Sequence, residues 1–273
     1  MIADGHIHTP FCPHGTKDSF EHYIEKAIGL GFKEISFTEH APLPINFNDP
    51  TPLKDSSMRL EHLDSYFETI TQLKERYSNQ IKINRGLEVD YIEGYEDEIR
   101  SFLLKYGPLI DDSILSVHFL KKDTSYYCMD YSPDAFGEMI TIFGSVEHIY
   151  KSYYETVLKS IHSDLGLFKP KRIGHLTLAH KFQKKFPVQH SFEQEIREIL
   201  VNMKEKQLQL DYNGAGINKP LCKEPYPPHW VIKEAITLSI PLVYGSDAHQ
   251  VKDLHQGIDY LYPHAPFTSP TSL

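Results

Sequence analysis

Residues 81–88, with the sequence IKINRGLE, are predicted to form a β-strand that ends in a carboxylate. Other predicted strands end in the same way, at a histidine or an aspartate. The residues at these strand ends are His6, His40, Glu88, His118, His175 and Asp247. In a β/α barrel the C-terminal ends of parallel strands converge on one face, where active sites are built. The pattern therefore predicts that residues far apart in the sequence meet in space.

Predicted strands alternate with predicted helices along the whole chain. The first helix is predicted to begin after Asp18, with Glu21 completing a capping box. Such alternation favours parallel β/α units, and seven strands favour a (β/α)7 TIM-like barrel in one α/β domain over residues 1–273. The predicted strands cover residues 1–6, 33–38, 81–88, 113–118, 172–175, 208–212 and 241–245. Further helices are expected near residues 60–73, 93–106, 145–162, 192–206 and 230–239.

Composition and charge limit the classes of function. The 273 residues carry a net charge of −9, which argues against a nucleic-acid partner, since phosphate binding needs a basic surplus. No window has the apolar length of a membrane helix, and the N-terminus lacks a signal peptide pattern, so we expect a cytoplasmic protein without a membrane partner. Three cysteines without a C-x-x-C pair support neither a disulfide framework nor a thiolate zinc site. Cys12 is a candidate thiolate ligand, but the absence of a nearby partner cysteine favours a small buried hydrophobe. Sixteen histidines point to metal or proton chemistry.

Two short motifs place pairs of metal-binding side chains on one face of an extended segment. His6 and His8 form an H-x-H pair, and Asp247 and His249 form a D-x-H pair after the last strand. His14 lies in a C-P-H-G loop. Any one of these residues alone is more often a hydrogen-bonded structural residue than a ligand. Together with the strand-end residues, these motifs give nine candidate ligands. Nine ligands exceed the needs of one tetrahedral site, so at least two divalent metals are predicted.

Further polar residues lie next to these motifs. Asp4 and Asp90 are predicted to accept the second N–H of ligating imidazoles. Glu39 is a candidate to bind a cationic group of the substrate or to orient a ligand, or else is a solvated carboxylate at a strand end. Lys181 and Lys219 are candidates to bind phosphate, with surface lysines as the alternative.

Taken in order, the motifs H-x-H, C-P-H-G, F-T-E-H-A-P, G-L-E-V-D-Y, S-V-H-F, G-H and G-S-D-A-H resemble those of the PHP (polymerase and histidinol phosphatase) superfamily. They look closest to its monofunctional histidinol-phosphate phosphatases. The resemblance implies a distorted seven-stranded barrel with three divalent metals, which the donor types suggest to be zinc, manganese or iron. It implies that the first metal is held by His6, His8, Glu88 and Asp247, the second by Glu88, His118 and His175, and the third by His14, His40 and His249.

The resemblance also implies an activity, the hydrolysis of L-histidinol phosphate to L-histidinol and phosphate in histidine biosynthesis. Clustered metals neutralise a phosphate ester and generate a bridging hydroxide near neutral pH, with Glu88, Asp247 and His249 as catalytic residues. One departure is Asn218, where the family often has arginine. The alternatives are a PHP-type phosphodiesterase or nuclease, a metal-storing or regulatory protein without turnover, and an amidohydrolase. Amidohydrolase sites usually have a bridging lysine or a differently spaced set of histidines, and this chain shows neither.

Overall fold

Seven parallel strands form the sheet that carries the candidate ligands. The computed structural model describes residues 3–272, and residues 1 and 2 of the first predicted strand lie outside them. The strands are β1 Ala3–Ile7, β2 Glu34–His40, β3 Lys82–Asp90, β4 Asp112–Ser116, β7 Arg172–Ile173, β8 Gln209–Asn213 and β9 Leu242–Gly245. Their order in the sheet is β1-β2-β3-β4-β7-β8-β9. The segment after β1 then meets the segment after β9, where the amide of His8 donates to Ala248 O at 3.0 Å, and this contact nearly closes the barrel.

Helices connect these strands and cover the outside of the barrel. Their bounds are α1 Phe20–Gly29, α2 Leu63–Arg76, α3 Glu96–Tyr106, α4 Pro133–Phe143, α5 Val146–His162, α6 Glu193–Glu205, α7 Ala215–Asn218 and α8 His229–Thr237. Short 3-10 turns include Leu60–His62 before α2 and Leu178–Phe182 after β7. Helix α5 buries Ile149, Tyr153 and Val157 at helical spacing against the core. Among residues 3–272, no helix combines the length and apolar character that crossing a bilayer requires.

The first helix begins one residue later than predicted. Ser19, not Asp18, is its N-cap, and the Ser19 hydroxyl accepts a hydrogen bond from the amide of His22 at 3.3 Å. The Asp18 carboxylate instead accepts from the Thr16 hydroxyl at 2.7 Å and from the amide of Val251 at 2.9 Å. Asp18 thus ties the loop before α1 to the segment after β9, a long-range contact that a local capping pattern does not reveal.

A β-hairpin after β4 was not predicted. Its antiparallel strands are β5 Phe119–Lys122 and β6 Ser125–Cys128. The hairpin returns the chain to its starting point, because the amide of Met129 donates to His118 O at 3.0 Å. Residues 128–130 therefore lie beside a candidate ligand at the C-terminal face of the barrel.

The two ends of the barrel differ in their polar residues. At the N-terminal end, Arg172 is fully buried and donates to Asp112 Oδ2 at 2.7 Å and to Gly5 O at 2.8 Å. The C-terminal segment covers this end, where the amide of Thr268 donates to Leu242 O at 2.8 Å. Charges at this end are thus paired with each other. The imidazoles and carboxylates of the candidate site lie at the opposite end.

Candidate metal centre

The Glu88 carboxylate lies at the centre of the candidate site. Strand β3 is buried on both faces at this point, so the carboxylate projects among side chains from neighbouring strands. Five imidazoles surround it within 4 Å: His40 Nδ1 at 3.1 Å, His6 Nε2 at 3.4 Å and His8 Nε2 at 3.5 Å from Oε2, with His175 Nε2 at 3.0 Å and His118 Nε2 at 3.9 Å from Oε1. The Ser116 hydroxyl also donates to Oε1, at 2.6 Å. A single carboxylate therefore touches side chains from four different segments of the chain.

Three groups of side chains bring donor atoms within 4.8 Å of one another. The groups are His6, His8 and Asp247; Glu88, His118 and His175; and His8, Cys12, His40 and His249. His14 joins the third group, because its Nε2 lies 3.1 Å from His249 Nε2. All nine predicted ligands thus lie close together, and all but His6 and His8 line one cavity. Their role as ligands stays a prediction, and Cys12 lies close enough to contribute a sulfur donor, the less favoured of its two predicted roles.

Unpartnered buried atoms test whether this arrangement suits metal ions. Among the described residues, several buried nitrogens and oxygens of the site lie near each other but make no hydrogen bond of good angular geometry: His6 Nε2, His8 Nε2, both ring nitrogens of His40, and Glu88 Oε2. Leaving buried polar atoms unpaired costs free energy, so native proteins rarely do it without a compensating ligand. Imidazole nitrogen and carboxylate oxygen are the donors that zinc, manganese and iron prefer. The residues present therefore fit a cluster of divalent cations.

The electrostatics of the site keep the carboxylates ionised. Burial opposes the negative charge of Glu88, but His6 and His118 outweigh it and hold the Glu88 pKa well below its usual value. Burial is likewise outweighed at Asp247, where His6 lowers the pKa well below the usual range. For His14, burial lowers the pKa to about 4, with His40 adding to the effect. A neutral imidazole has the free lone pair that metal coordination requires.

Acceptors on the outer side of the rings orient three imidazoles towards the centre. Asp90 Oδ1 lies 2.7 Å from His118 Nδ1, which is the contact expected of an orienting carboxylate. Glu39 Oε1 lies 3.4 Å from His8 Nδ1, and the Asp55 carbonyl lies 2.8 Å from His14 Nδ1. These contacts leave the Nε2 atoms facing the middle of the site.

Two predicted roles do not fit the structure. Glu39 is fully buried, and its Oε2 accepts from the amide and the hydroxyl of Thr9, so it does not reach a substrate; its position beside His8 fits the other predicted role, the orientation of a ligand. Asp4 contacts no imidazole, since its Oδ1 accepts from the backbone amides of His6 at 3.2 Å and Ser246 at 3.0 Å. Both errors arise because strand-end position alone does not tell which way a side chain points.

Asp211 and Asn213 on β8 contact candidate ligands, and the sequence patterns did not indicate either of them. Asp211 Oδ2 accepts from His6 Nδ1 at 2.9 Å, and Asn213 Nδ2 donates to both Asp211 at 3.2 Å and Asp247 at 3.1 Å. A signal was available, because Asp211 lies near the end of the predicted strand 208–212. These two residues connect ligands that come from β1 and from the segment after β9.

Asp247 has a left-handed backbone, with φ of 52°. This conformation is uncommon for a residue other than glycine and persists where the surrounding structure enforces it. Here the amide of Asp247 donates to His6 O at 2.7 Å, which directs the carboxylate back over β1. Asp247 Oδ1 consequently lies 3.2 Å from His8 Nε2.

The centre opens into a cavity of about 340 Å³. Lys181 and Lys219 both line this cavity, so each can reach a bound molecule. Lys181 donates to Asp130 Oδ2 at 2.8 Å, whereas Lys219 is exposed at the rim. Asn218, where the family often has arginine, donates to Gln256 Oε1 at 3.0 Å. The cavity thus combines the candidate ligands with two cationic groups.

Comparison with known proteins assigns this arrangement to a family. A family model described as the PHP domain matches residues 4–215, more than half of the chain. The chain belongs to the PHP family. The predicted resemblance is confirmed, and this PHP chain is 50% identical over 255 residues to the histidinol-phosphatase of Bacillus subtilis (strain 168), covering 92% of this chain and 94% of that relative.

Solved structures support the same assignment of the PHP fold. A Listeria monocytogenes protein provisionally assigned as a histidinol phosphatase matches with a TM-score of 0.90 and 41% identity, over 94% of this chain and 99% of that one. The histidinol phosphate phosphatase of Lactococcus lactis subsp. lactis Il1403, solved with zinc, L-histidinol and phosphate, matches with a TM-score of 0.70. At 23% identity over 98% of this chain and 94% of that one, it shows a shared fold. The predicted barrel is therefore confirmed.

Proposed function

We propose that this PHP protein is a metal-dependent phosphoric monoester hydrolase that converts L-histidinol phosphate to L-histidinol and phosphate. The observation that carries the proposal is a cavity lined by convergent imidazoles and carboxylates, in a chain 50% identical to a curated histidinol-phosphatase over nearly its full length. A small phosphate ester is the substrate class that suits a cavity of about 340 Å³ with two lysines in its lining and divalent cations at its base. The overall charge of −9 disfavours a polyanionic strand.

We assign the ligands to three ions according to the grouping of their donors. His6, His8, Asp247 and Glu88 would hold the first ion, while Glu88, His118 and His175 would hold the second. The third would be held by His14, His40 and His249, with Cys12 within reach. Zinc, manganese and iron all suit these donors. When bound, such ions neutralise the phosphate and lower the pKa of a water molecule at the site.

The protein's own residues supply positioning and charge. Glu88 and Asp247 bring fixed negative charges to the centre, where they would balance the charge of the bound ions. His249 stays neutral because burial, followed by the nearby His8, lowers its pKa well below the usual value. Lys181 faces the cavity and would bind a phosphate oxygen. These groups bind, orient and neutralise without a covalent enzyme intermediate.

An assay of purified metal-loaded protein tests this proposal. Phosphate release from L-histidinol phosphate is compared with hydrolysis of a dinucleotide and of single-stranded DNA. We expect turnover of histidinol phosphate that disappears with a chelator and returns on adding zinc, manganese or iron. Greater kcat/KM on the dinucleotide, or full activity of a metal-free sample, would overturn the proposal.

A further inference from the structure

One ion pair in the catalytic cavity has no role in holding the candidate ligands. Asp130 Oδ2 and Lys181 Nζ lie 2.8 Å apart, and both side chains line the cavity. The side chains remain 18% and 21% exposed, so a bound molecule can reach both charges. The pair therefore presents one anionic and one cationic group to whatever occupies the cavity.

The fold places this ion pair directly over one group of candidate ligands. Asp130 follows the β5–β6 hairpin, which returns to the backbone of His118 through the amide of Met129 at 3.0 Å. Lys181 lies in the 3-10 turn after β7, which begins where the amide of Leu178 donates to His175 O at 2.9 Å. Each charge is thus anchored within a short distance of an imidazole that contacts Glu88.

Hydrogen bonds hold both partners in place. The Cys128 thiol donates to Asp130 Oδ1 at 3.3 Å, on the side of the carboxylate away from Lys181. The turn that carries Lys181 is tied to residues 219–224, because the amide of Lys184 donates to Leu221 O at 3.0 Å. His180 also contacts both Glu224 and the Tyr154 hydroxyl. Opposite charges held in fixed positions form a template for a ligand that carries both charges.

We propose that Asp130 and Lys181 recognise phosphate monoesters of 2-amino alcohols by exchanging partners with them. Lys181 binds the phosphate, and Asp130 accepts hydrogen bonds from the ammonium group of the same molecule. Only two carbons and the ester oxygen separate those charges, a spacing that suits two side chains in mutual contact. The inference rests on the proposed phosphatase function and adds a residue that selects for the amine.

The ionisation states agree with this exchange. Burial opposes the charge of Asp130, but Lys181 outweighs it and holds the Asp130 pKa well below its usual value. Asp130 is therefore an anion near neutral pH, where the substrate carries an ammonium. A charge-assisted hydrogen bond is worth roughly 1.5–3 kcal/mol, which corresponds to roughly 10- to 100-fold in kcat/KM.

Two probe substrates that differ only in the amine test the inference. We compare O-phosphoethanolamine with ethyl phosphate on the metal-loaded protein and its Asp130→Asn variant. We expect the wild type to prefer O-phosphoethanolamine, and Asp130→Asn to lower kcat/KM for it by about 10-fold or more. Any loss on ethyl phosphate should be smaller, since ethyl phosphate lacks the group that Asp130 binds. Competitive inhibition by L-histidinol should weaken in parallel, while inhibition by inorganic phosphate should persist.

The structure offers a matched control. Asp134 and Lys185 pair at 3.1 Å between the same two segments, but the Asp134 side chain is 92% exposed and outside the cavity. Asp134→Asn should leave the preference unchanged. Asp130→Glu, which keeps the charge, should retain part of the preference and serves as the second variant if Asp130→Asn does not fold.

Several results would overturn the inference. They are equal losses on both probes, an unchanged preference in Asp130→Asn, or a preference that disappears only in Asp55→Asn or Asp253→Asn, which remove two further cavity carboxylates. A wild type that hydrolyses L-histidinol phosphate but does not distinguish the probes would contradict this inference alone. A wild type inactive on L-histidinol phosphate would instead contradict the proposed function.

Discussion

His6 Nδ1 and Asp211 Oδ2 lie 2.9 Å apart in the fully buried centre of the barrel, although 205 residues separate them. The contact fixes the ring so that Nε2 faces Glu88. Carboxylates that orient ligating imidazoles typically contribute 10- to 100-fold in metal affinity. We therefore expect Asp211→Asn to weaken metal binding by about 10- to 100-fold, measured by competition with a chromophoric chelator.

The exposed Asp97 on α3 provides the control for this change. Asp97→Asn removes one negative charge far from the centre and should keep wild-type metal affinity. If Asp211→Asn bound metal as tightly as the wild type, the orienting role of Asp211 would be wrong.

Glu88 is expected to be indispensable for turnover. Glu88→Gln keeps the shape of the side chain but removes the charge that five imidazoles face. Because Glu88 would contact two metals directly, its loss should exceed the 10- to 100-fold effect of an orienting residue, leaving less than about 1% of wild-type kcat. Steady-state kinetics and metal content are measured together. A near-normal rate in a variant that still binds its metals would contradict the assignment of the centre.

Gly174 is predicted to be required by close packing beside the centre. A methyl group at this position would overlap the Ser116 hydroxyl, which holds Glu88, and would lie 2.9 Å from Ile114 Cγ2. Gly174→Ala should therefore lower the free energy of unfolding by about 1–3 kcal/mol, the usual cost of overpacking, and reduce metal affinity. Urea unfolding with and without metal provides the measurement.

Gly29 is the matched control, because a methyl group there would meet nothing within 4 Å on helix α1. Gly29→Ala should raise the free energy of unfolding by about 0.5–1 kcal/mol, since alanine favours a helix over glycine. Equal effects of the two substitutions would refute the packing argument.

Lys169 is predicted to make stability depend on alkaline pH. Its amine donates to the carbonyls of Ile161 and Ser163 at 2.7 Å each, at the C-terminal end of α5. Burial lowers its pKa to about 8, with Lys206 adding to the effect, whereas the ordinary value is 10.5. Between about pH 8 and 10.5, Lys169 binds more protons in the unfolded chain than in the folded protein. The contribution of Lys169 to the free energy of unfolding therefore rises with pH over this range. That contribution is complete above about pH 10.5 and is lost as pH falls through about 8.

Urea unfolding of the wild type and of Lys169→Met from pH 7 to 10.5 measures this dependence. The difference in the free energy of unfolding, wild type minus variant, should increase with pH over that range. A difference that stays constant or decreases would contradict the lowered pKa of Lys169.

Local patterns were sufficient to predict the nine candidate ligands and most of the alternation of strands and helices, but not helix α4. Side chains alternate along a strand and buried parallel strands are apolar throughout, so a histidine or carboxylate at a strand end stands out. Glu88, at the end of residues 81–88, and the D-x-H pair of Asp247 and His249 were recognisable for that reason. The hairpin over residues 119–128 escaped prediction because its short strands lack a strong alternating pattern.

The roles of the surrounding residues depended on contacts between distant segments. Asp4 and Glu39 both adjoin ligands in the sequence, yet Asp4 binds backbone amides and Glu39 is buried against Thr9. Asp211 orients His6 from β8, and Asp130 reaches Lys181 only because the hairpin turns back to His118. The chain order of the motifs thus revealed the type of site. Only the closed barrel determined which carboxylate contacts which imidazole, because strand curvature and side-chain direction depend on packing across the whole sheet.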